Sequence, residues 1–400
     1  MYEIYNKVYI SLCLYISAEI FAARNMVRVG IVGIGNIAAM FIQAVEYYRR
    51  HEKEDGLIHH VIGNYRVHDI RFVYAIDISK NKVGKDLSEA IFAKPNQVPK
   101  YIDMPRTGVV VRMGRVLDGV AEHMREDFEP ANEPEPSLRE IAKELEENNV
   151  DVLVNLLPVG SAQASRFYAE AAAKAGVAFV NCIPEFIASD PAYSRMFEEN
   201  NTLVLGDDIK GQLGSTIVHR ALASLVAMRG GEIVESYQLN VGGNTDFKNM
   251  LDHDRLHSKK ISKTMAVAST QPDPEKVLEN LFAGPSGYIP FLGNTKVAYI
   301  YMKVLGFMGL PITIDLKLTV DDKAMASAVL ADVVRLAKAL RDKGVRGSPD
   351  WASAFYFKYP PKQAKSDEEA LLNLYLKLEE LGIDIEPKRL YLWDYLKQKQ

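Results

Sequence analysis

Cysteine is scarce in this chain of 400 residues, where it occurs only at Cys13 and Cys182. Two cysteines are too few for a disulfide framework, offer no zinc-ligand spacing and fit a reducing cytoplasm. A basic excess is also lacking, because 48 Lys and Arg are offset by 52 Asp and Glu, which leaves a net charge of -4. Proteins that grip a nucleic-acid backbone usually carry such an excess, so we expect no nucleic-acid partner.

Long hydrophobic runs are lacking too. Residues 8–23 are mostly apolar, but two serines and a glutamate interrupt them, and they fall short of the ~20 apolar residues of a membrane helix. The start of the chain is not basic enough for a typical signal peptide. We predict no membrane association and interpret residues 1–26 as a dispensable extension, with Met26 as an alternative initiator. An ordered segment packed on the domain and a targeting signal are the other interpretations.

Strands and helices alternate along the first half of the chain. Short apolar runs rich in β-branched residues, as at 27–33, 71–78 and 151–158, are typical of strands buried on both faces. Helical patterns, including one at 84–94, separate these runs. The alternation predicts an α/β fold with a Rossmann-like, doubly wound parallel sheet.

The pattern changes in the middle of the chain. Stretches such as 232–243 and 311–320 alternate polar and apolar residues, as in a sheet with one solvated face, and long helical patterns resume after them. We therefore predict a Rossmann domain at 27–213, an inserted α+β domain at 214–324 and a C-terminal return to the Rossmann domain at 325–400.

The segment Gly33 to Ala38 has the G-x-G-x-x-A form of a dinucleotide-binding turn and lies between a predicted strand and a predicted helix. Gly33 permits the tight turn, and Gly35 lets the backbone approach a pyrophosphate at the helix N-terminus. The next strand ends at Asp77, about 40 residues on instead of the usual ~20, because residues 51–70 are an insertion. A carboxylate there accepts ribose hydroxyls and repels a 2′-phosphate, so NAD is favoured over NADP. A glycine turn that binds no ligand is the alternative.

Two further loops follow predicted strands. Pro158, Gly160 and Ser161 lie where the nicotinamide half of a cofactor would rest, although a plain turn with Ser161 as helix cap fits equally well. The segment Gly206 to Gln212 combines two acids, a lysine and two glycines, which suits an anion held on backbone N–H groups. A magnesium site and a solvated turn are its alternatives.

Lys259 and Lys263 are spaced i,i+4 within residues 254–267, so on a helix their ammonium groups share one face. Their repulsion would lower the pKa of one of them toward the range of an acid or base. Lys260 would point elsewhere. The alternative is a solvated basic surface. Two histidines of this segment share the i,i+4 spacing, but without a third ligand we assign no metal site.

Four segments match one family in their residues and in their order along the chain: GDDIKGQ (206–212), SYQLNVGGNTDF (236–247), SKKISKT (258–264) and FLGNTKVAYIY (291–301). In these motifs the chain resembles the myo-inositol-1-phosphate synthases, above all their shorter, archaeal-type members. The family isomerises D-glucose 6-phosphate with tightly held NAD+, by oxidation, enolisation, cyclisation and reduction. The resemblance runs from Val27 to Leu392.

The resemblance implies a role for each matching residue. It implies four catalytic lysines, which are Lys259, Lys263, Lys296 and Lys358. It implies three carboxylates that orient them, which are Asp208, Asp246 and Asp322. It implies substrate contacts at Gly211, Gln212 and Asn244. It implies nucleotide contacts at Gly33, Gly35, Asn36, Ile37, Asp77, Pro158, Gly160, Ser161 and Asp207.

The resemblance also implies a homotetramer built through the middle domain, which would then be both catalytic and oligomerising, and it leaves a divalent or monovalent cation open. The chain departs from the family at Gly211, where a serine is usual, at Asp321-Asp322-Lys323, which replaces an Asp-Ser step, at Ala38 and at Tyr359. None of these departures removes a lysine. An NAD-dependent dehydrogenase of a sugar or semialdehyde and a non-catalytic NAD sensor are the alternative functions.

Overall fold

The structure is a computed structural model that describes residues 26–51 and 53–389. Residues 1–25 of the predicted extension lie outside the described residues. The strands are β1 (Val27–Val32), β2 (Val61–Ile62), β3 (Ile70–Asp77), β4 (Arg112–Met113), β5 (Val152–Asn155), β6 (Ala178–Asn181), β7 (Val204–Leu205), β8 (Glu232–Gly242), β9 (Leu281–Tyr288), β10 (Thr295–Leu305), β11 (Pro311–Asp321) and β12 (Ile385–Glu386). The α-helices are α1 (Asn36–His51), α2 (Leu87–Ala90), α3 (Leu138–Glu147), α4 (Ala162–Lys174), α5 (Pro191–Glu199), α6 (Ser215–Met228), α7 (Thr245–Asn249), α8 (His257–Ala268), α9 (Pro274–Leu278), α10 (Asp322–Asp342), α11 (Asp350–Tyr356) and α12 (Asp367–Glu380).

Six parallel strands form the first sheet in the order β4-β3-β1-β5-β6-β7. Counted along the chain within this sheet, the order is 3-2-1-4-5-6, which is that of the Rossmann fold. The predicted doubly wound α/β fold is therefore confirmed. The strand order reverses between β1 and β5, and in such sheets ligands bind in the crevice beside the carboxyl ends at this point.

The second sheet has the order β11-β10-β8-β9, in which β10 is antiparallel to β8 and β11 while β9 is parallel to β8. One face packs its apolar side chains, among them Ile300 and Met302, against Ala223 of α6 and Val267 of α8. The opposite face leaves large aromatic side chains exposed, such as Tyr299. This is the one-sided sheet that the alternating pattern predicted.

The C-terminal part of the chain packs back on the first sheet. Helix α10 lies against α1, β1, β5 and β6, so Val333 and Leu336 share one core with Val29 and Phe41. Strand β12 pairs with β2 in the insertion at 51–70. This packing supports a return to the first domain, while the boundaries 27–213, 214–324 and 325–400 stay a prediction.

The helix predicted at 84–94 is wrong in length, since α2 spans only residues 87–90. Asp86 caps its start and accepts a hydrogen bond from the Ser88 backbone N–H at 2.9 Å. Turns follow, and Pro95 lacks the N–H that would continue a helix. Among the described residues, no helix has both the length and the apolar character needed to span a membrane.

Candidate active site

A cleft of about 1740 Å³, including the solvent at its mouth, lies between the carboxyl edge of the first sheet and the elements α6, α7 and α8. The glycine turn lines one part of it, and lysines and carboxylates line another. The two groups of residues singled out in the sequence therefore share one cavity.

The glycine turn has the geometry that a dinucleotide requires. Gly33 has a φ of +89°, and a Cβ atom there would lie 2.8 Å from the Leu156 carbonyl oxygen, so only glycine fits. A Cβ on Gly35 would meet nothing within 4 Å, which leaves that side of the turn open. Asn36 and Ile37 begin α1 beside it and line the cleft. Because the first turn of α1 carries no acidic residue, its N–H groups and dipole favour an anion.

Asp77 lies at the carboxyl end of β3 and lines the same cleft. Its carboxylate accepts hydrogen bonds at 2.8 Å from the backbone N–H groups of Ile34, Ile78 and Ser79. These bonds fix the carboxylate beside the glycine turn, where a Rossmann fold reads ribose hydroxyls. The geometry of the turn and of Asp77 therefore fits a dinucleotide.

Of the other residues predicted to contact the nucleotide, some line the wall of the cleft and others are buried inside the protein. Pro158 lines the cleft, whereas Arg255 covers Gly160, where its side chain would lie 2.7 Å from a Cβ atom. The Arg255 guanidinium also donates to the buried Ser161 hydroxyl at 3.4 Å. Asp207 is fully buried outside the lining. It accepts hydrogen bonds from the Asn181 side chain, three backbone N–H groups at 187–189 and the Ser189 hydroxyl. Asp207 therefore anchors a loop, and its contact with a cofactor stays a prediction.

The fold brings the four predicted lysines, spread from Lys259 to Lys358, into the cleft. Helix α8 supplies Lys259 and Lys263 from one face, while Lys260 is exposed on another. Lys296 enters from the start of β10. Lys358 arrives because its segment pairs with the loop after β7, where its backbone N–H donates to the Asp208 carbonyl at 2.8 Å.

Carboxylates hold three of these lysines in place. The Lys358 ammonium lies 2.7 Å from Asp208, the Lys296 ammonium 2.6 Å from Asp322 and the Lys259 ammonium 3.7 Å from Asp246. The hydroxyl of Ser262 also donates to Asp208. Burial opposes ionisation of Asp208, but the ammonium groups of Lys358 and Lys259 outweigh it and lower its pKa.

Lys263 differs from the other three predicted lysines. Within the described part of the chain, no carboxylate lies within 4 Å of its ammonium group. Burial, and then the positive charges of Lys296, Lys259 and Lys358, lower the pKa of Lys263 well below its ordinary value. For Lys259, burial also opposes the charged form, but Asp246 and Asp208 outweigh it and raise the pKa. Lys263 is therefore the better proton acceptor of the pair.

The side-chain contacts of Asp321, Asp322 and Lys323 show which of the two aspartates pairs with Lys296. Asp321 caps α10 by accepting from the backbone N–H groups of Lys323 and Ala324 at 3.0 Å, so Asp322 is the carboxylate that orients Lys296. Lys323 is buried in the cleft, 3.7 Å from Asp322 and 3.9 Å from Asp246. Sequence reasoning did not select Lys323, although its place in a departure from the family pattern was the available signal.

The three predicted substrate contacts lie in different surroundings. Gly211 lines the cleft together with Ser215 and Thr216, the first residues of this helix. Asn244 caps α7 with its carbonyl oxygen, and among the described residues its buried side-chain nitrogen has no hydrogen-bond partner. The Gln212 side chain instead donates to the Gly56 carbonyl at 2.7 Å, so its substrate contact stays a prediction.

The parallel sheet, the glycine turn and the lysine–carboxylate cluster define a Rossmann-type enzyme with a nucleotide-binding cleft. The family model described as "Myo-inositol-1-phosphate synthase" matches residues 214–323, which carry most of the lysine cluster. An inositol-3-phosphate synthase of Mycolicibacterium smegmatis is 45% identical over 85% of this chain and 95% of its own length. The chain therefore belongs to the inositol-3-phosphate synthase family.

Two further comparisons agree with this assignment. An inositol-3-phosphate synthase of Corynebacterium glutamicum is 44% identical over 86% of this chain and 96% of its own length. A solved structure of a myo-inositol-1-phosphate synthase-related protein from Thermotoga maritima superposes with a TM-score of 0.72 at 26% identity, covering 90% of this chain and 99% of the other. The two curated relatives are actinobacterial, so the expected likeness to archaeal-type members is not confirmed.

Proposed function

We propose that this protein is an NAD+-dependent isomerase, an intramolecular lyase, that converts D-glucose 6-phosphate to 1D-myo-inositol 3-phosphate, the first step of inositol biosynthesis. The observation that carries the proposal is the convergence of Lys259, Lys263, Lys296 and Lys358 in the cleft that contains the glycine turn. A dehydrogenase with one acid–base pair would need no such set. The names of the curated relatives support the same reaction.

The turn at Gly33 and Gly35 and the carboxylate of Asp77 would hold the nucleotide. When bound, NAD+ supplies the acceptor and later the donor of a hydride, so that the isomerisation involves no net redox change. The open side of Gly35 and the free N–H groups of α1 suit a pyrophosphate. The lysines lie in the same cleft, so substrate bound among them would reach the cofactor.

The ammonium groups of Lys296 and Lys358 stabilise the negative charge that develops on substrate oxygens. Each is held by a carboxylate, so it is oriented before the substrate arrives and little reorganisation is needed during the reaction. Lys263, whose pKa is lowered, accepts the proton of the alcohol that is oxidised and returns it when the ketone is reduced at the end of the sequence. Lys259, whose pKa is raised, keeps its proton and polarises an oxygen.

The substrate phosphate would lie against the N-terminus of α6. Its first residues and the backbone at Gly211 line the cleft and offer N–H donors there. The substrate contact of Asn244, whose side-chain nitrogen has no partner among the described residues, stays a prediction. Lys323 adds a buried positive charge to the same cleft. Gly211 brings no hydroxyl to this site, so we assign Lys323 a share of phosphate binding.

We further propose a homotetramer assembled through the second sheet. Large apolar side chains are exposed on this sheet and at its turns, with Phe291 88% and Phe307 87% exposed, and a soluble monomer rarely leaves so many uncovered. A divalent or monovalent cation stays a prediction, since the described residues hold no group of three His, Cys, Asp or Glu able to bind a metal. The cytoplasmic location also stays a prediction.

The purified protein is incubated with glucose 6-phosphate and NAD+, and inositol phosphate and NADH absorbance are followed together. We expect product in amounts far above that of NAD+, without net NADH. Stoichiometric NADH without inositol phosphate would instead identify a dehydrogenase. Binding of NAD+ without any turnover would identify a sensor.

A further inference from the structure

Lys82 is a buried lysine outside the set that the proposed reaction uses. It lies in the turn after β3, where the backbone N–H of Lys82 and that of Val83 donate to the Ser79 carbonyl at 2.9 and 3.0 Å. Its side chain is 1% exposed and lines the cleft beside Asp77. Among the described residues its Nζ atom has no hydrogen-bond partner.

The surroundings of the Lys82 Nζ atom leave its N–H donors unused. The nearest carboxylate oxygen, Oδ2 of Asp77, lies 3.5 Å away, and the ring centre of Phe128 lies 5.6 Å away. A buried ammonium with unused donors is costly to the fold unless a ligand supplies acceptors. The wall that Lys82 shares with Asp77 and the glycine turn identifies the cofactor as that ligand.

We propose that Lys82 and Asp77 together bind the two hydroxyls of the adenosine ribose of NAD+. Each hydroxyl has one hydrogen to donate and an oxygen that accepts. The carboxylate of Asp77, which already accepts from three backbone N–H groups, takes one hydroxyl hydrogen, and the ammonium of Lys82 donates to the hydroxyl oxygens. The assignment rests on the proposed function only for the identity of the cofactor.

The pair also predicts how the cofactor is selected. Asp77 repels the 2′-phosphate of NADP+, whereas Lys82 alone would attract it. Selection for NAD+ therefore depends on the carboxylate masking an adjacent positive charge. Replacing Asp77 with serine would expose Lys82 and open the site to NADP+.

The test measures binding of NAD+ and NADP+ by calorimetry to the full chain freed of nucleotide, without substrate. K82M should weaken NAD+ binding by about tenfold or more, the loss of one charged hydrogen bond. D77S should strengthen NADP+ binding by about tenfold, and D77S/K82M should lose that gain. The matched control is K80M, because Lys80 lies on the same turn but pairs with Glu129 at the surface.

Thermal unfolding of the nucleotide-free protein separates binding from structure. K82M should still unfold in one cooperative transition, because Lys82 makes no hydrogen bond and only a 3.5 Å ion pair with Asp77, so a loss of NAD+ affinity in the folded variant reports on binding. Unchanged NAD+ affinity in folded K82M, or a D77S variant that gains no NADP+ affinity, would refute the proposal that Lys82 and Asp77 together bind the adenosine ribose. A wild-type protein that binds NAD+ and makes no inositol phosphate would overturn only the proposed reaction.

Discussion

Lys259 and Lys263 lie one helical turn apart on α8, and their surroundings shift their pKa values in opposite directions. Burial opposes the charged form of both. The pKa of Lys259 nevertheless rises, because Asp246 and Asp208 outweigh burial. The pKa of Lys263 falls, because its neighbours Lys296, Lys259 and Lys358 add repulsion to burial. One helix face thus presents a fixed positive charge next to a proton acceptor.

K263M should lose activity while gaining stability. The pKa of Lys263 is lower in the folded than in the unfolded protein, so the unfolded state binds more protons between the two values. The contribution of Lys263 to stability therefore rises with pH across that window and is most unfavourable below it. We expect K263M to unfold at a higher temperature than wild type near neutral pH, and the difference to shrink toward pH ~10.5. Calorimetric melts at several pH values measure this, and a lower melting temperature would contradict it.

The pH profile of wild-type kcat/KM should show the titration of Lys263. If neutral Lys263 accepts the proton, activity rises with pH through its lowered pKa and then levels. K263M should remove this rising limb from its residual activity. A rising limb that persists unchanged in K263M would assign the proton acceptor to another residue.

Alanine at Lys296 or Lys358 should reduce turnover by roughly 10²-fold or more, the scale of one lost oxyanion partner. NAD+ affinity should barely change, because neither residue lies in the nucleotide turn. K260A is the control, since Lys260 is exposed on the other side of α8. Steady-state kinetics and NAD+ titration decide the outcome, and equal losses in K260A and K296A would refute the assignment.

K323M should mainly raise the KM for glucose 6-phosphate, by about tenfold, because it removes a charge expected to bind the phosphate. The kcat should fall less than in K296A. The strand residue Lys303 pairs with Glu235 and does not line the cleft, so K303M serves as the matched control. A fall in kcat at constant KM would place Lys323 among the groups that act on the reacting carbons.

D207N should unfold more easily than wild type without losing NAD+ affinity. The carboxylate accepts five hydrogen bonds around the loop at 187–189, and an amide nitrogen would face at least one of those donors. One unsatisfied buried donor costs about 1–3 kcal/mol in unfolding free energy. Urea denaturation and NAD+ titration test the two parts. Weakened NAD+ binding by D207N at unchanged stability would support the cofactor contact predicted from the sequence.

Light scattering should give the mass of a tetramer, and F307D should reduce it. Phe307 is 87% exposed at the turn between β10 and β11, so a charge there would be buried if this surface is an interface. Y101D provides the control, since Tyr101 is also exposed but lies outside the second sheet. A wild-type monomer at micromolar concentration would refute the assembly.

The sequence predicted correctly those structural elements that depend on residues close together in the chain. The turn at Gly33, the start of α1 and the acid at the end of β3 follow from strand, glycine and helix signals within a short window. The convergence of Lys263, Lys296 and Lys358 does not follow from spacing, because strand register and the pairing of distant loops bring them together. For Lys296 and Lys358 only the resemblance to a family gave the prediction, whereas the i,i+4 spacing with Lys259 had also pointed to Lys263.

Residues whose role depends on burial could not be predicted from the sequence. Lys82 and Lys80 have similar neighbours along the chain, and only the packing of the turn after β3 buries one and exposes the other. The sequence also predicted a nucleotide contact at Gly160. The Arg255 side chain covers this glycine, and it comes from a distant segment of the chain. Such cases depend on tertiary packing, which no short motif encodes.

The sharing of one core by β1 and α10 has a consequence for synthesis on the ribosome. Residues near Val29 emerge long before Val333, yet both belong to the same hydrophobic interior. The nucleotide-binding half therefore cannot finish its core until almost the whole chain has left the exit tunnel. The second sheet draws its partners from a continuous stretch and is free to form earlier. Nascent chains that stop before α10 should thus expose the unfinished side of the first sheet to chaperones and proteases.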